Sequence, residues 1–192
     1  MADSTIGASV LAHGVGVVGH CVGAYTALAL AGAVPQLSLV VSHCIANRAD
    51  TFCDSGGPPQ AGGPFATVMA IQPVPVLKDD RIGAIVTMTP IGAAFSAHAL
   101  RAVSAPARVY GAQFDVPTPA PYHAAVVAAA LPQPSEYVLV KNATHFSFIS
   151  PLPESRRAMV GPAAIDRPGF DRAQVHLQLN AEIVDFFNRK LR

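Results

Sequence analysis

The sequence has few charged residues and no long apolar run. Only 13% of its 192 residues are Asp, Glu, Lys or Arg, and the formal net charge is +1. The basic residues are scattered along the chain, so they form no electrostatic footprint for nucleic acid. No apolar stretch approaches the roughly 20 residues needed to cross a bilayer. The sequence therefore predicts neither a nucleic-acid partner nor a membrane span.

The first residues also lack the basic segment and long apolar core of a secretory signal peptide. This absence favours the cytoplasm, but the compartment is left open because the arrangement of motifs described below is compatible with a fragment, a mis-called start or a relic of a longer chain. Cysteine is scarce, with three residues at positions 21, 44 and 53. An odd number leaves at least one thiol unpaired.

What the sequence does have is apolar residues, which make up 51% of the chain and are enough for a single domain over residues 1–192 with its own core. Short runs rich in β-branched residues and bounded by turn residues are typical of buried parallel strands. Four such runs are present, at Gly14–Gly19, Ile82–Thr89, Ala107–Ala112 and Glu136–Lys141.

Helical patterns separate or follow these runs. They cover Ala24–Ala33, Pro119–Leu131 and Asp171–Leu191, and the last places apolar residues four apart on one face. Strands that alternate with helices predict an α/β domain with a parallel sheet covered on both faces. Residues 44–80 and 152–169 show little periodicity, and we expect irregular structure there.

The most specific motif is Gly19-His20-Cys21-Val22-Gly23, between an apolar strand and an Ala-rich helix. It matches the G-x-nucleophile-x-G elbow, with cysteine as the nucleophile and glycines that permit a tight turn. A cysteine at a helix N-terminus is favoured as a thiolate. The backbone N–H of Val22 would face the oxyanion that develops during acyl transfer.

An elbow needs an acid and a histidine downstream, each just past the carboxyl end of a strand. Asp115 follows the run ending at Ala112, and His145 follows the run ending at Lys141. We therefore predict that Asp115 orients His145 and that His145 ionises Cys21.

With these motifs in place, the sequence resembles the predicted dienelactone hydrolases of the α/β-hydrolase superfamily, a group related to the platelet-activating-factor acetylhydrolases. The resemblance covers Gly14 to about Pro153 and rests on VGVVGHCVGAYTALALAG, RIGAIVTMTP, GAQFDVPTP and NATHFSFISP, with FDRAQVHLQLNAEIVDFF near the end. It implies an α/β-hydrolase fold, hydrolysis of a small ester, lactone or thioester, and no cofactor. Cys21 would be the nucleophile, Asp115 the acid and His145 the base.

The resemblance also implies that the sheet is truncated at its N-terminal side. The family nucleophile follows the fifth strand, whereas Cys21 is near the start of this chain. The run Gly14–Gly19 is then expected to become a sheet edge open to a partner or a second copy. The loop that supplies a second oxyanion donor would also be missing, and weak activity is expected.

Two other functions are compatible with the residues. Gly14–Gly19 also satisfies G-x-G-x-x-G, the fingerprint of dinucleotide-binding oxidoreductases, with possible strands at residues 9–13 and 37–42. In that case Gly14–Gly19 would be a loop. The second strand should then end in Asp or Glu to bind the ribose hydroxyls, but here it ends in Ser42-His43. The other is an inactive hydrolase fragment that binds a partner, in which Cys21 is only a small buried residue.

The remaining cysteines allow different pairings. Many relatives implied by the resemblance are exported, so Cys44 and Cys53 are expected to approach within disulfide distance; the alternative is two free thiols. A metal site formed by His43, Cys44 and Cys53 is a further alternative, although no C-x-x-C or H-x-x-x-H pair accompanies them.

Overall fold

The computed structural model describes residues 14–55, 75–132 and 135–191. Within these ranges the chain forms a four-stranded parallel sheet in the order β1-β2-β3-β4. The strands are Val15–His20 (β1), Ile82–Met88 (β2), Ala107–Phe114 (β3) and Glu136–Thr144 (β4). All four coincide with the predicted apolar runs. The α/β class and the parallel sheet are thus confirmed, and the carboxyl ends of the strands meet at one edge.

Helices cover both faces of the sheet. They are Val22–Leu30 (α1), Ser38–Ala46 (α2), Phe52–Ser55 (α3), Ala97–Arg101 (α4), Ala124–Ala130 (α5), Glu154–Val160 (α6) and Arg172–Lys190 (α7). Side chains of a strand alternate between the two faces. In β2, Ile85 packs into a cluster with Leu28 of α1 and Val127 of α5. Its neighbours Ala84 and Val86 pack on the opposite face with Leu179 and Phe186 of α7.

Two segments expected to be irregular contain helices. Helix α2 extends through Ala46 and α3 follows at Phe52, while residues 56–74 lie outside the described ranges. Helix α6 interrupts the second segment, and none of its residues with described burial is buried. A helix without a buried face needs no apolar stripe, so the hydrophobic periodicity of the sequence could not predict α6. The expectation of irregular structure throughout these segments was wrong.

The predicted helix over Pro119–Leu131 begins later than expected, at Ala124. Residues 120–123 instead form turns, in which the N–H of His123 reaches the carbonyl of Pro119. Proline suits a helix start, but here it opens a turn that brings the chain back over the sheet.

Strand β1 lies at one end of the strand order and pairs with β2 on one side. On its other side the described part of the chain supplies no strand. Val15 and Val18 are 43% and 47% exposed, although both belong to an apolar strand. The expectation of an apolar sheet edge at Gly14–Gly19 agrees with this arrangement. Among the described residues, no helix is both long enough and apolar enough to cross a bilayer.

The connection between β1 and α1 is a single residue, Cys21. Its backbone N–H still bonds the carbonyl of Met88 in β2, while its own carbonyl accepts the N–H groups of Ala24 and Tyr25 in α1. A Cβ atom on Gly19 would overlap the backbone carbonyl of Gly23, whereas a Cβ on Gly23 would meet nothing within 4 Å. The tight turn therefore requires glycine at position 19 but not at position 23.

Substitution of these two glycines gives a matched test of the turn. Gly19→Ala should lower the free energy of unfolding by about 1–3 kcal/mol, because the new methyl group forces the backbone to shift. Gly23→Ala should leave it unchanged or slightly higher, since alanine favours a helix. Urea unfolding of both variants measures the difference, and equal stabilities would contradict this account of the turn.

Candidate active site

Three side chains singled out from the sequence lie at the carboxyl edge of the sheet. Cys21 follows β1 directly, Asp115 follows β3 and His145 follows β4. Open parallel sheets place their sites at this edge because the loops that leave the strands converge there. The structure brings all three together, although the strands that carry them are separated along the chain.

Cys21 has an unusual backbone conformation, with φ 54° and ψ −115°. A residue with a side chain rarely adopts positive φ, and the strain costs of the order of 1–3 kcal/mol. The surrounding hydrogen bonds to Met88, Ala24 and Tyr25 hold it in place. Such strain at a strand-to-helix turn is the feature expected of a nucleophile elbow, where the side chain projects out of the turn.

His145 and Asp115 form a buried hydrogen-bonded pair. Nδ1 of His145 lies 3.0 Å from Oδ1 and 3.1 Å from Oδ2 of Asp115. The two side chains are only 3% and 1% exposed. Because a carboxylate accepts, Nδ1 carries the hydrogen, and Nε2 is the nitrogen left for another partner.

That partner is Cys21, whose thiol interacts with His145 so that the pKa of both groups shifts. Hydrogen bonding toward His145 lowers the pKa of the Cys21 thiol, against the opposing effect of burial, and the N–H of Val22 acts in the same direction. Burial alone would lower the pKa of His145, but its bonds to Asp115 and Cys21 prevail and raise that pKa to about 9. Both shifts favour a thiolate facing an imidazolium ion.

Two further residues hold His145 in position. Thr118 donates its backbone N–H to Asp115 Oδ1 at 2.8 Å, and its hydroxyl lies 3.2 Å from both Asp115 Oδ2 and His145 Nδ1. His20 bonds the carbonyl of His145 through Nε2 at 2.8 Å, and burial lowers its pKa, which favours a neutral donor.

The sequence motifs did not indicate a role for Thr118 or for His20. A signal for Thr118 was present, since an aspartate often accepts the backbone N–H of a residue shortly after it in a turn. The contact of His20 had no such signal, because its partner lies 125 positions away.

The site is open on the Cys21 side. Cys21 is partly exposed and the Val22 side chain is 62% exposed, whereas Asp115 and His145 are buried. The Val22 N–H contributes to the lowered pKa of the Cys21 thiol, so this donor lies near the sulfur. A reagent or substrate can therefore reach the sulfur while the pair behind it remains shielded from water.

The geometry does not suit the dinucleotide alternative. Val15–His20 is a strand, whereas a phosphate-binding fingerprint needs a loop there. The segment proposed as its second strand, residues 37–42, begins helix α2 instead. The proposed first strand at residues 9–13 lies outside the described residues.

The remaining two cysteines are paired with each other. Cys44 and Cys53 form a disulfide with Cα atoms 5.6 Å apart, which confirms that they can approach within bonding distance. Cys21 is left as the free thiol. The disulfide links the end of α2 to α3, and Thr51 beside it donates to the carbonyl of Val116, directly after Asp115.

No protein-family model matches the chain, and a comparison with curated proteins finds no match.

Alkylation provides a direct test of the Cys21 environment. Because the pKa of Cys21 is lowered, iodoacetamide should label it with a midpoint below the ordinary thiol value of about 8.5. One label per chain is expected, since the other cysteines are paired. His145→Ala removes the main cause of the shift and should move the midpoint upward. Mass spectrometry across pH measures both; a parent midpoint at or above the ordinary value would contradict an activated thiol.

Proposed function

We propose that the chain is a cysteine-dependent acyl hydrolase of the dienelactone-hydrolase type, with an α/β-hydrolase fold. Cys21 is the nucleophile, His145 the general base and acid, and Asp115 the group that orients His145. The substrate is a small ester, lactone or thioester. The observation that carries the proposal is the buried, hydrogen-bonded His145–Asp115 pair beside Cys21, which lies in a strained strand-to-helix turn and whose thiol pKa is lowered by His145.

In the first half of the reaction, the Cys21 thiolate attacks the acyl carbon, and a carbon–sulfur bond forms as the carbonyl becomes an oxyanion. The Val22 N–H, at the start of α1 beside Cys21, is the donor that would stabilise this charge. The oxyanion then collapses, the bond to the leaving oxygen or sulfur breaks, and His145 Nε2 gives its proton to the leaving group. An acyl-thioester enzyme and a neutral imidazole remain.

In the second half, a water molecule replaces the leaving group. Neutral His145 accepts a proton from that water as its oxygen attacks the acyl carbon of the thioester. The carbon–sulfur bond breaks, the carboxylic acid leaves, and Cys21 and His145 return to their starting ion pair. Asp115 keeps its hydrogen bond to Nδ1 throughout and stabilises the imidazolium whenever it forms.

The proposal predicts turnover of short-chain p-nitrophenyl esters that depends on Cys21. Cys21→Ala should lower the rate to that of buffer, because no other thiol is free to take the acyl group. His98→Ala, an exposed site on α4, is the matched control and should keep the parent rate. Equal turnover in the parent and in Cys21→Ala would rule out the proposed nucleophile.

The pH profile of the same assay tests the role of His145. With an alkyl ester, kcat/KM should rise as Cys21 ionises and fall again near pH 9, where His145 loses the proton needed by the alkoxide. With a p-nitrophenyl ester the alkaline fall should be much smaller, since nitrophenolate leaves without a proton. Identical profiles for the two substrates would contradict acid catalysis by His145.

A second candidate function is binding of a partner or a second copy through β1. It is favoured by the exposed apolar edge of that strand, since unpaired edges readily accept another strand. The occupant would add a strand beside Val15–His20 through backbone hydrogen bonds.

Lysine on an edge strand discourages such pairing. If β1 pairs with a second copy, light scattering should give a mass above that of the monomer, and Val18→Lys should reduce it. Val126→Lys is the matched control, because Val126 on α5 has the same 47% exposure. A monodisperse parent monomer would exclude self-association, and an equal effect of the two lysines would exclude β1 as its site.

A further inference from the structure

A second cluster of ionisable groups lies apart from Cys21, around the loop between α2 and α3. Donor atoms of His43, Asp50 and Cys53 all lie within 4.8 Å of one another. Asp50 is fully buried, and the His43 side chain is 15% exposed. The proposed hydrolysis uses none of these residues. Imidazole nitrogen, carboxylate oxygen and thiolate sulfur are each ligands that zinc accepts.

The buried Asp50 carboxylate is held by two imidazoles. Its Oδ2 atom lies 2.6 Å from His43 Nε2 and 3.0 Å from His123 Nε2, and Oδ1 accepts the backbone N–H of Phe52. The His123 contact is close but poorly aligned, so Nε2 of this fully buried residue has no satisfactory hydrogen-bond partner. A buried polar nitrogen without a good partner is costly, and here it points at the cluster.

The two histidines differ in what they can bind. His123 Nδ1 accepts the backbone N–H of Gly92, which fixes the hydrogen on Nε2, so this nitrogen faces Asp50 as a poorly aligned N–H group and is not a metal ligand. His43 Nδ1 faces the Asn47 side-chain amide, whose nitrogen lies 3.3 Å away and also donates to the His43 carbonyl at 3.0 Å. For His43 Nε2 to ligate a metal, its hydrogen must move to Nδ1 and the Asn47 amide must give up both contacts.

The third donor is blocked while the disulfide exists, because the Cys53 sulfur is bonded to Cys44. A dithiol reductant would supply two electrons and two protons, become a disulfide itself, and leave Cys44 and Cys53 as thiols. A bound cation then displaces the Cys53 proton to solvent and takes the thiolate as ligand.

We propose that reduction of the Cys44–Cys53 disulfide creates a zinc site formed by His43 Nε2, the Asp50 carboxylate and the Cys53 thiolate. Two donors on one tetrahedral Zn²⁺ ion lie roughly 3.3–3.6 Å apart, given metal–ligand distances of roughly 2.0–2.3 Å. His43 Nε2 and Asp50 Oδ2, now 2.6 Å apart, must therefore separate, and donors as far apart as 4.8 Å must come closer, each by about 1 Å. Water occupies the fourth position, and His123 Nε2 stays close to the Asp50 carboxylate.

The sharpest test compares two variants that both lack the disulfide and each keep one thiol of the pair. Both carry Cys21→Ser, so that the thiol beside His145 cannot bind the metal. In this background Cys44→Ser leaves Cys53 free, and Cys53→Ser leaves Cys44 free. Titration with Zn²⁺ alone, against a chromogenic chelator and without reductant, should show at least tenfold tighter binding by the Cys44→Ser variant, with one ion per chain.

Histidine substitutions in the Cys21→Ser, Cys44→Ser background identify the second ligand. His43→Ala should weaken zinc binding at least tenfold, whereas His98→Ala, at an exposed site on α4, should leave it unchanged. Zinc should also raise the melting temperature of the Cys21→Ser chain after reduction but not before it. Equal zinc affinity of the two cysteine variants, or tight binding by the oxidised Cys21→Ser chain, would overturn the proposal.

Discussion

The single-residue turn at Cys21 is the constraint on which the rest of the site depends. It keeps the Cys21 N–H in the sheet through Met88 while the next residues begin α1. The backbone accepts a strained positive φ at this point because hydrogen bonds on both sides fix it. The same turn places the Val22 N–H near the Cys21 sulfur. It requires glycine at position 19, because a Cβ atom there would overlap the backbone of Gly23.

Burial and charge act together behind the sulfur. Asp115 and His145 are almost inaccessible to water, so the attraction between them is weakly screened. Burial by itself disfavours the imidazolium ion, yet the carboxylate on one side and the thiol on the other raise the pKa of His145 to about 9. Thr118 contacts the ring of His145 at Nδ1, and His20 bonds the backbone carbonyl of His145, so both restrict movement of the pair. The arrangement thus favours a thiolate at the more exposed end of a buried hydrogen-bonded pair.

The segment that carries the disulfide contacts the loop that carries Asp115. Thr51, between Asp50 and the disulfide, bonds the carbonyl of Val116, next to Asp115. The Asp50 cluster and the Asp115 pair are two buried carboxylates, and each is compensated by imidazole nitrogen. The two clusters differ in the state of the neighbouring cysteine: Cys21 is a free thiol, whereas Cys53 is bonded to Cys44.

The sequence by itself determined the four strands, because short β-branched runs between turn residues have few alternatives once helices separate them. It also indicated Cys21, Asp115 and His145, since residues that follow parallel strands must meet at one edge. It did not determine that residues 38–46 form a helix, as a short apolar run is compatible with a buried strand or a buried helix. Only the tertiary structure decided the contacts of Thr118, the bond of His20 to His145, and the approach of His43 and His123 to Asp50. These contacts join residues whose partners lie on other elements, and their distances follow from packing, which no local pattern encodes.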